Sequence, residues 1–237
     1  MKTIGFIGGM SWESTVLYYQ IANEVVKNKL GGLHSARVLL YSVNFYEIES
    51  LQASGEWEKS AEILTAVANK LENAGADFIV ICTNTMHKVA PQIAKGINIP
   101  ILHIADATAV ELKKASISKV ALLGTKYTMT QDFYKNKIIE EGISVLIPNE
   151  KDIELVNGVI YSELCLGIVS PESKKEYLRI IDDLHEQGAQ AVILGCTEIG
   201  MLLKQEDTNI PLFDTTEIHA TKAALMAIEE FWLTLLC

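Results

Sequence analysis

The sequence predicts an α/β protein with two pseudo-symmetric, doubly wound parallel-sheet domains. A short apolar segment that opens with Gly-Ala occurs twice, at Gly75 and at Gly188, and each copy is typical of a fully buried strand. Two further pairs recur in the same order, and all offsets lie between 111 and 116 residues: the Asn-Ile-Pro segments at Asn98 and Asn209, and residues 4–8 with residues 120–124. Such matches indicate a tandem duplication of about 100 residues.

The elements of the first repeat alternate strands with helices, as a parallel sheet with right-handed crossovers requires. Residues 3–9 are predicted to form a strand that ends at Gly8 and Gly9, and Ser11 is a candidate N-cap for the next helix. The turn suits a small anion, but it does not match the GxGxxG dinucleotide fingerprint. The predicted elements that follow are a strand at 38–42, a loop with one helical turn at 44–55, a helix at about 57–73, the Gly75 strand, helical residues 84–95 and a strand at 98–103.

The second repeat has the same predicted order, and one helix lies outside it. Its predicted elements are a strand at 119–124, a helix around 129–140, a strand at 143–147, helices on both sides of 167–171 and the Gly188 strand. The last helix, at 216–235, carries an apolar stripe that must be buried: Ala224, Leu225, Ile228, Phe231 and Leu235.

The composition excludes several classes of function. The 237 residues are 49% hydrophobic and 21% charged, which argues against disorder. A net charge of −10 with only two arginines, Arg37 and Arg179, argues against a nucleic-acid partner. We expect a cytoplasmic protein without a membrane partner, because no apolar run is long enough to span a bilayer or to form a signal peptide. The four cysteines show no CxxC spacing, which argues against a zinc site or a disulfide framework.

The repeat also nominates two functional side chains. Aligning the two Gly-Ala segments places Thr83 opposite Cys196, each at the end of a buried strand. Ligands of open α/β sheets bind at the carboxyl ends of strands. With pseudo-two-fold symmetry, we expect both ends to face an active-site cleft between the domains, where they could act on opposite faces of one small molecule.

Three motifs span nearly the whole chain: Ile7-Gly8-Gly9-Met10 with Ser14-Thr15, Asn84-Thr85-Met86-His87, and Gly195-Cys196-Thr197-Glu198-Ile199. Together they resemble the cofactor-independent aspartate/glutamate racemase family. The resemblance implies a homodimer in which two cysteines at strand ends deprotonate and reprotonate the α-carbon of an acidic amino acid, without pyridoxal phosphate or a metal. It also implies that the last helix returns to the first domain, giving domains of 1–103 plus 215–237 and of 104–214.

One central residue departs from the family pattern. The usual motif is Pro-Cys-Asn-Thr-x-His, whereas this chain has Cys82-Thr83-Asn84-Thr85, so Thr83 occupies the cysteine position, as in a branch of the family. A thiol ionises near pH ~8.5, but a hydroxyl ionises far less readily. We therefore expect Cys196 to be the base and Thr83 to donate or relay a proton. This assignment predicts a strong preference for one enantiomer as substrate, and the resemblance suggests that it is the L form.

The supporting residues are expected to bind the substrate around these two groups. The α-carboxylate is assigned to Asn84, Thr85, Thr197 and the turn that contains Met10 and Ser11. Gln52 or Lys126 could contact the side-chain carboxylate, and both aspartate and glutamate stay open. Glu198 and His87 could orient the catalytic groups or bind the α-ammonium. Cys82, Cys165 and Cys237 are interpreted as structural.

Two other functions remain open at this stage. A lyase or decarboxylase could use Cys196 alone to protonate a planar intermediate, which fits the missing first thiol. A non-catalytic protein could bind acidic amino acids or dicarboxylates. A hydrolase that pairs Cys196 with His87 or His219 ranks lower, because no nucleophile elbow is present.

Overall fold

The computed structural model describes residues 1–235, with the side chains of residues 1–229. The chain divides into two compact units, Met1–His103 with the chain from His219 onward, and Ile104–Ile218. Each unit contains a four-stranded sheet in which all pairings are parallel. The strand orders, β2-β1-β3-β4 and β6-β5-β7-β8, are equivalent. The predicted fold class is therefore confirmed, and the shared order is the one expected from a duplication.

The first unit places its two central strands between helices. Both hydrophobic clusters of this unit use residues of β1 and β3, which alternate between the two faces of the sheet. Its elements are β1 (Thr3–Gly8), α1 (Trp12–Leu30), β2 (Arg37–Ser42), α2 (Phe45–Ala53), α3 (Trp57–Asn73), β3 (Phe78–Ile81), a 3₁₀ helix (Thr85–Val89), α4 (Ala90–Lys95) and β4 (Ile101–Leu102).

The second unit repeats this arrangement around β5 and β7. Every residue of β7 is buried, as the continuous apolar run predicts. The elements are α5 (Ile104–Lys114), β5 (Lys119–Gly124), α6 (Lys126–Thr130), α7 (Asp132–Glu140), β6 (Ser144–Leu146), α8 (Glu150–Ser162), a 3₁₀ helix (Leu164–Leu166), α9 (Pro171–Glu186), β7 (Ala191–Gly195), α10 (Ile199–Leu202), a 3₁₀ helix (Gln205–Asp207), β8 (Leu212–Asp214) and α11 (Thr215–Leu235).

The prediction of a loop with a single helical turn at residues 44–55 is wrong, because Phe45–Ala53 form the nine-residue helix α2. Asn44 caps the helix by accepting a hydrogen bond from the Tyr46 N–H. Ile48 and Gln52, one helical turn apart, are both buried. The polar residues of the segment therefore lie on a surface helix and do not interrupt one. The predicted helix at 129–140 is also two helices, which meet at Gln131.

The final helix α11 spans both units along the chain. At its start, the Thr215 hydroxyl donates to the Leu194 carbonyl at 2.8 Å, which attaches the first turn to β7. From His219 onward the helix belongs to the first unit, where Ala224 and Ile228 are buried. The side chains of two predicted stripe residues, Phe231 and Leu235, lie outside the described residues.

Two glycines set the spacing of the central strands just before Cys196. Gly124 and Gly195 are partners in the pairing of β5 with β7. A Cβ atom added to Gly124 would lie 2.6 Å from the Gly195 carbonyl oxygen, which is too close for any side chain. Glycine is therefore required where the two strands end.

Gly124→Ala is expected to lower the free energy of unfolding by about 1–3 kcal/mol, because the new methyl group forces the strands apart. Gly158→Ala is the matched control, since this exposed glycine lies inside α8 with nothing within 4 Å of an added Cβ. It should raise the free energy of unfolding by about 0.5–1 kcal/mol through helix propensity. Urea titration of both variants checks the contrast, and equal effects would contradict the tight strand contact.

Candidate active site at the strand ends

In the first unit, the ends of β1 and β3 lie side by side. Ile7 pairs with Ile81 in the parallel register, and the Cys82 N–H donates to the Ile7 carbonyl at 2.9 Å. The glycine turn after β1 therefore lies next to Thr83. This is the edge of the sheet at which α/β proteins bind their ligands.

The turn after β1 is fixed by its own hydrogen bonds. Gly9 has a φ of +86°, and an added Cβ would meet the Val43 carbonyl oxygen, so only glycine fits. The Gly9 N–H donates to the Thr15 hydroxyl at 2.8 Å, and this hydroxyl donates to the Ser11 carbonyl at 2.6 Å. Ser11 also caps α1, whereas the Met10 side chain is buried in the core. The substrate contact of Met10 stays a prediction, and only its backbone is available for it.

Thr83 is 9% exposed, and its backbone is held by a histidine. The His87 Nδ1 atom lies 2.8 Å from the Thr83 carbonyl oxygen. A carbonyl only accepts, so Nδ1 carries the hydrogen in this contact. Asn84 and Thr85 are buried beside Thr83, where the 3₁₀ helix begins. His87 thus contacts the Thr83 backbone directly, and its function in orienting the catalytic groups stays a prediction.

His87 is part of a buried group of aromatic and imidazole rings in the first unit. Its ring centroid lies 4.4 Å from that of His103 and 5.7 Å from that of His219. The His219 Nε2 atom donates to the Leu102 carbonyl at 2.8 Å. Its Nδ1 atom lies 3.0 Å from the Tyr18 hydroxyl and accepts from it. The sequence analysis names His87 and His219 singly but does not predict the group, because its members come from separate elements of the chain.

The electrostatic state of His219 follows from this environment. Burial, together with the neighbouring His87, lowers the pKa of His219 to about 3. His219 is therefore neutral at physiological pH, with the proton on Nε2. Because both ring nitrogens have protein partners, His219 contributes rigidity and does not act as a nucleophile's base.

In the second unit, Cys196 follows β7 and is 7% exposed. Its thiol donates a hydrogen bond to the Glu198 carboxylate at 3.0 Å. The Thr197 hydroxyl donates to the same carboxylate oxygen at 2.9 Å. Glu198 is thus in direct contact with the thiol, and its function in orienting Cys196 stays a prediction.

Burial raises the pKa of the Cys196 thiol well above its ordinary value, and the negative charge of Glu198 raises it further. The resting form is therefore the neutral thiol. The same carboxylate lies at hydrogen-bonding distance from the thiol and can accept its proton. The pair can act as an acid directly, and as a base after the proton has moved to Glu198.

The remaining predicted residues differ in their surroundings. Gln52 is buried, and its amide nitrogen lies 2.9 Å from the Met86 sulfur; its contact with substrate stays a prediction. Lys126 forms an exposed ion pair with Glu154. The structural interpretation of Cys82 is confirmed, since this thiol is fully buried in the core and burial raises its pKa. Cys165 packs partly buried against the other core, and Cys237 lies outside the described residues.

Two further kinds of site are absent from the part of the chain that the structure describes. No group of three or more His, Cys, Asp and Glu side chains there could hold a metal ion. Within the same residues, no helix combines the length and the apolar composition that crossing a bilayer requires.

Comparison with known proteins decides the family. The sequence model of the Asp/Glu/hydantoin racemase family matches residues 7–223. The chain belongs to this family. Asp/Glu/hydantoin racemases are isomerases that act on small molecules, amino acids among them, and the predicted family is thereby confirmed. The assignment of Thr83 to the position of a catalytic cysteine stays a prediction.

Several relatives of the Asp/Glu/hydantoin racemase family resemble the chain over most of its length. A crystal structure of a Yersinia pestis protein described as an Asp/Glu racemase is 54% identical, covers 96% of this chain and 100% of its own, and has a TM-score of 0.89. An aspartate racemase homologue from Pyrococcus horikoshii OT3 is 38% identical, with coverages of 96% and 99% and a TM-score of 0.83. The broad specificity amino-acid racemase RacX of Bacillus subtilis (strain 168) is 24% identical over 90% of this chain and 92% of its own.

The neutral state of His219 predicts a pH dependence of stability. The folded pKa of about 3 lies below the unfolded value of 6.5, so only the unfolded chain gains this proton between the two. The stabilisation is complete above pH ~6.5 and is lost as the pH falls toward 3, with a slope of about 1.4 kcal/mol per pH unit. His219→Gln keeps a hydrogen-bond donor and does not titrate. The slope of its unfolding free energy against pH should therefore be smaller by the contribution of one proton, about 1.4 kcal/mol per pH unit. Urea titrations from pH ~4 to ~7 measure both slopes, and identical slopes would contradict the assignment.

Proposed function

We propose that this protein racemises aspartate, glutamate or both, with a preference for the L form and without pyridoxal phosphate. The Cys196 thiol removes the α-proton, and the Thr83 side returns a proton to the opposite face. The observation that carries the proposal is the hydrogen bond of the buried Cys196 thiol to Glu198 in a chain of the racemase family. A cytoplasmic location and a homodimer belong to this proposal as predictions.

Cys196 needs a route from its resting thiol to a base. The thiol proton first moves to Glu198, which accepts it along the existing hydrogen bond. The buried thiolate is then a strong base, because the same burial that raises its pKa increases its proton affinity. It takes the α-proton of the L substrate, and the electron pair passes to the α-carboxylate as an enolate-like state.

Thr83 completes the reaction from its own side of the substrate. Its hydroxyl can donate a proton to the planar intermediate. Solvent then replaces the proton of Thr83, and Glu198 releases to solvent the proton that it took from the thiol, so that both groups return to their resting states. The reverse step asks Thr83 to remove the α-proton of the D substrate, which a hydroxyl does poorly. The proposed asymmetry between the enantiomers follows from this difference between thiol and hydroxyl.

The substrate is proposed to be held by donors next to the two catalytic groups. Asn84, Thr85, Thr197 and the Met10–Ser11 backbone are assigned to the α-carboxylate, where donors stabilise the developing charge. Gln52 is assigned to the side-chain carboxylate. Relatives named as an aspartate racemase homologue and as a broad specificity amino-acid racemase support an amino-acid substrate and leave aspartate and glutamate both open.

One observation favours a second candidate function. A thiol whose pKa is raised is already the acid needed to protonate a planar intermediate, and Thr83 offers no second thiol. A decarboxylase of malonate-type acids would need only one such acid. One carboxylate of the substrate leaves as carbon dioxide, and Cys196 then protonates the carbanion that remains. Release of carbon dioxide from such an acid, absent in Cys196→Ala, would favour this candidate over the racemase.

Heavy-water exchange tests the proposed function. In wild-type protein, L-aspartate or L-glutamate should gain deuterium at the α-carbon. Deuterium-labelled D enantiomer should then appear as well. Cys196→Ala should lose this exchange by at least about a hundredfold, because it removes the base. The D forms should exchange much more slowly than the L forms. Mass spectrometry of the recovered amino acids measures all four rates, and no exchange on any of them by folded protein would refute the racemase proposal for these substrates.

A further inference from the structure

Glu13 is the one described acid whose side chain has a buried oxygen without a hydrogen-bond partner. It lies in the first turn of α1 and is half-buried. Its Oε2 atom is shielded from solvent and receives no hydrogen bond, and no ion pair of Glu13 exists among the described residues. Burial of a carboxylate oxygen without a donor is unfavourable. The N-terminal dipole of α1 offsets only part of this cost.

The position of Glu13 connects this oxygen with the candidate site. The helix α1 begins directly after the turn at Gly9, and this turn lies beside Thr83 because β1 pairs with β3. Glu13 therefore carries a buried carboxylate oxygen without a partner, in the first turn of the helix that starts at the ligand-binding edge of the first sheet. A ligand group that donates hydrogen bonds would satisfy this oxygen.

The other acids near the strand ends of this chain are already engaged. Glu198 accepts hydrogen bonds from Cys196 and from Thr197. Asp214 accepts from the backbone N–H groups that begin α11. Neither carboxylate resembles Glu13, which offers an acceptor oxygen with no described donor.

We propose that Glu13 binds the α-ammonium group of the amino-acid substrate. The inference rests on the proposed function, because it assumes an amino acid at this edge of the sheet. Glu13 thereby takes the α-ammonium contact for which the sequence analysis named Glu198 and His87 as candidates. The ammonium supplies the donors that the buried oxygen lacks, and a charged hydrogen bond of this kind is strong. A dicarboxylate of the same length without an amino group cannot make this contact.

Binding selectivity tests the proposal independently of catalysis. Calorimetric titration is made with L-aspartate and succinate, and with L-glutamate and glutarate, so that each pair differs mainly by the amino group. Glu13→Gln should weaken binding of the amino acids by roughly tenfold to a hundredfold. Binding of succinate and glutarate should stay the same or become tighter, since a negative charge is removed.

Two variants control for charge and folding. Glu24→Gln makes the same change on the exposed part of α1, where Glu24 accepts from Gln20, and it should leave both ligand classes unaffected. Glu13→Asp keeps the charge on a shorter side chain and should retain more amino-acid affinity than Glu13→Gln. Thermal unfolding of each variant verifies that the fold is intact.

The outcomes separate this inference from the proposed function. Equal affinities of wild type and Glu13→Gln for the amino acids would overturn the ammonium subsite while leaving the racemase proposal standing. Equal losses for amino acids and dicarboxylates would also overturn it, because they indicate a purely structural residue. If the wild-type protein binds no amino acid, the proposed function fails and this inference fails with it.

Discussion

The parallel pairing of two buried strands in each unit is the constraint on which the rest of the structure depends. Because β1 and β3, like β5 and β7, are covered on both faces, their side chains are committed to the core and only their carboxyl ends can carry chemistry. The register then fixes which residues stand there. It places Thr83 beside the glycine turn, and Cys196 directly after the close contact of Gly124 with Gly195.

The duplicated fold supports two different chemical groups. In the second unit, a thiol is hydrogen-bonded to a carboxylate that can take its proton. In the first unit, the corresponding group is the Thr83 hydroxyl. The Thr83 carbonyl accepts a hydrogen bond from His87, whose ring contacts the neutral His219. The two units therefore have equivalent strands but carry different side chains, a thiol and a hydroxyl, at the ends of these strands. The proposed preference for one enantiomer follows from that asymmetry.

Patterns in the chain predicted the repeat, the parallel sheets and the positions of Thr83 and Cys196, because buried strands and glycine turns leave local signals. The helix α2 was missed because its burial depends on Ile48 and Gln52 packing against distant residues. The contact of Tyr18 with His219 joins residues 201 positions apart, which no single-sequence pattern encodes. Glu13 has a weak local signal, an acid just after the glycine turn, but only the structure shows that one of its oxygens is unpartnered.

The central claim is that Cys196 and Thr83 act in separate half-reactions, and Thr83 variants test it most directly. The measurement compares α-deuterium incorporation into recovered L-aspartate or L-glutamate with formation of the D enantiomer in heavy water. In Thr83→Ala, incorporation into the L form should persist, while inversion falls by about a hundredfold or more. Thr83→Ser, which keeps the hydroxyl, should retain inversion. Parallel loss of both rates in Thr83→Ala, or unchanged inversion, would contradict the division of labour.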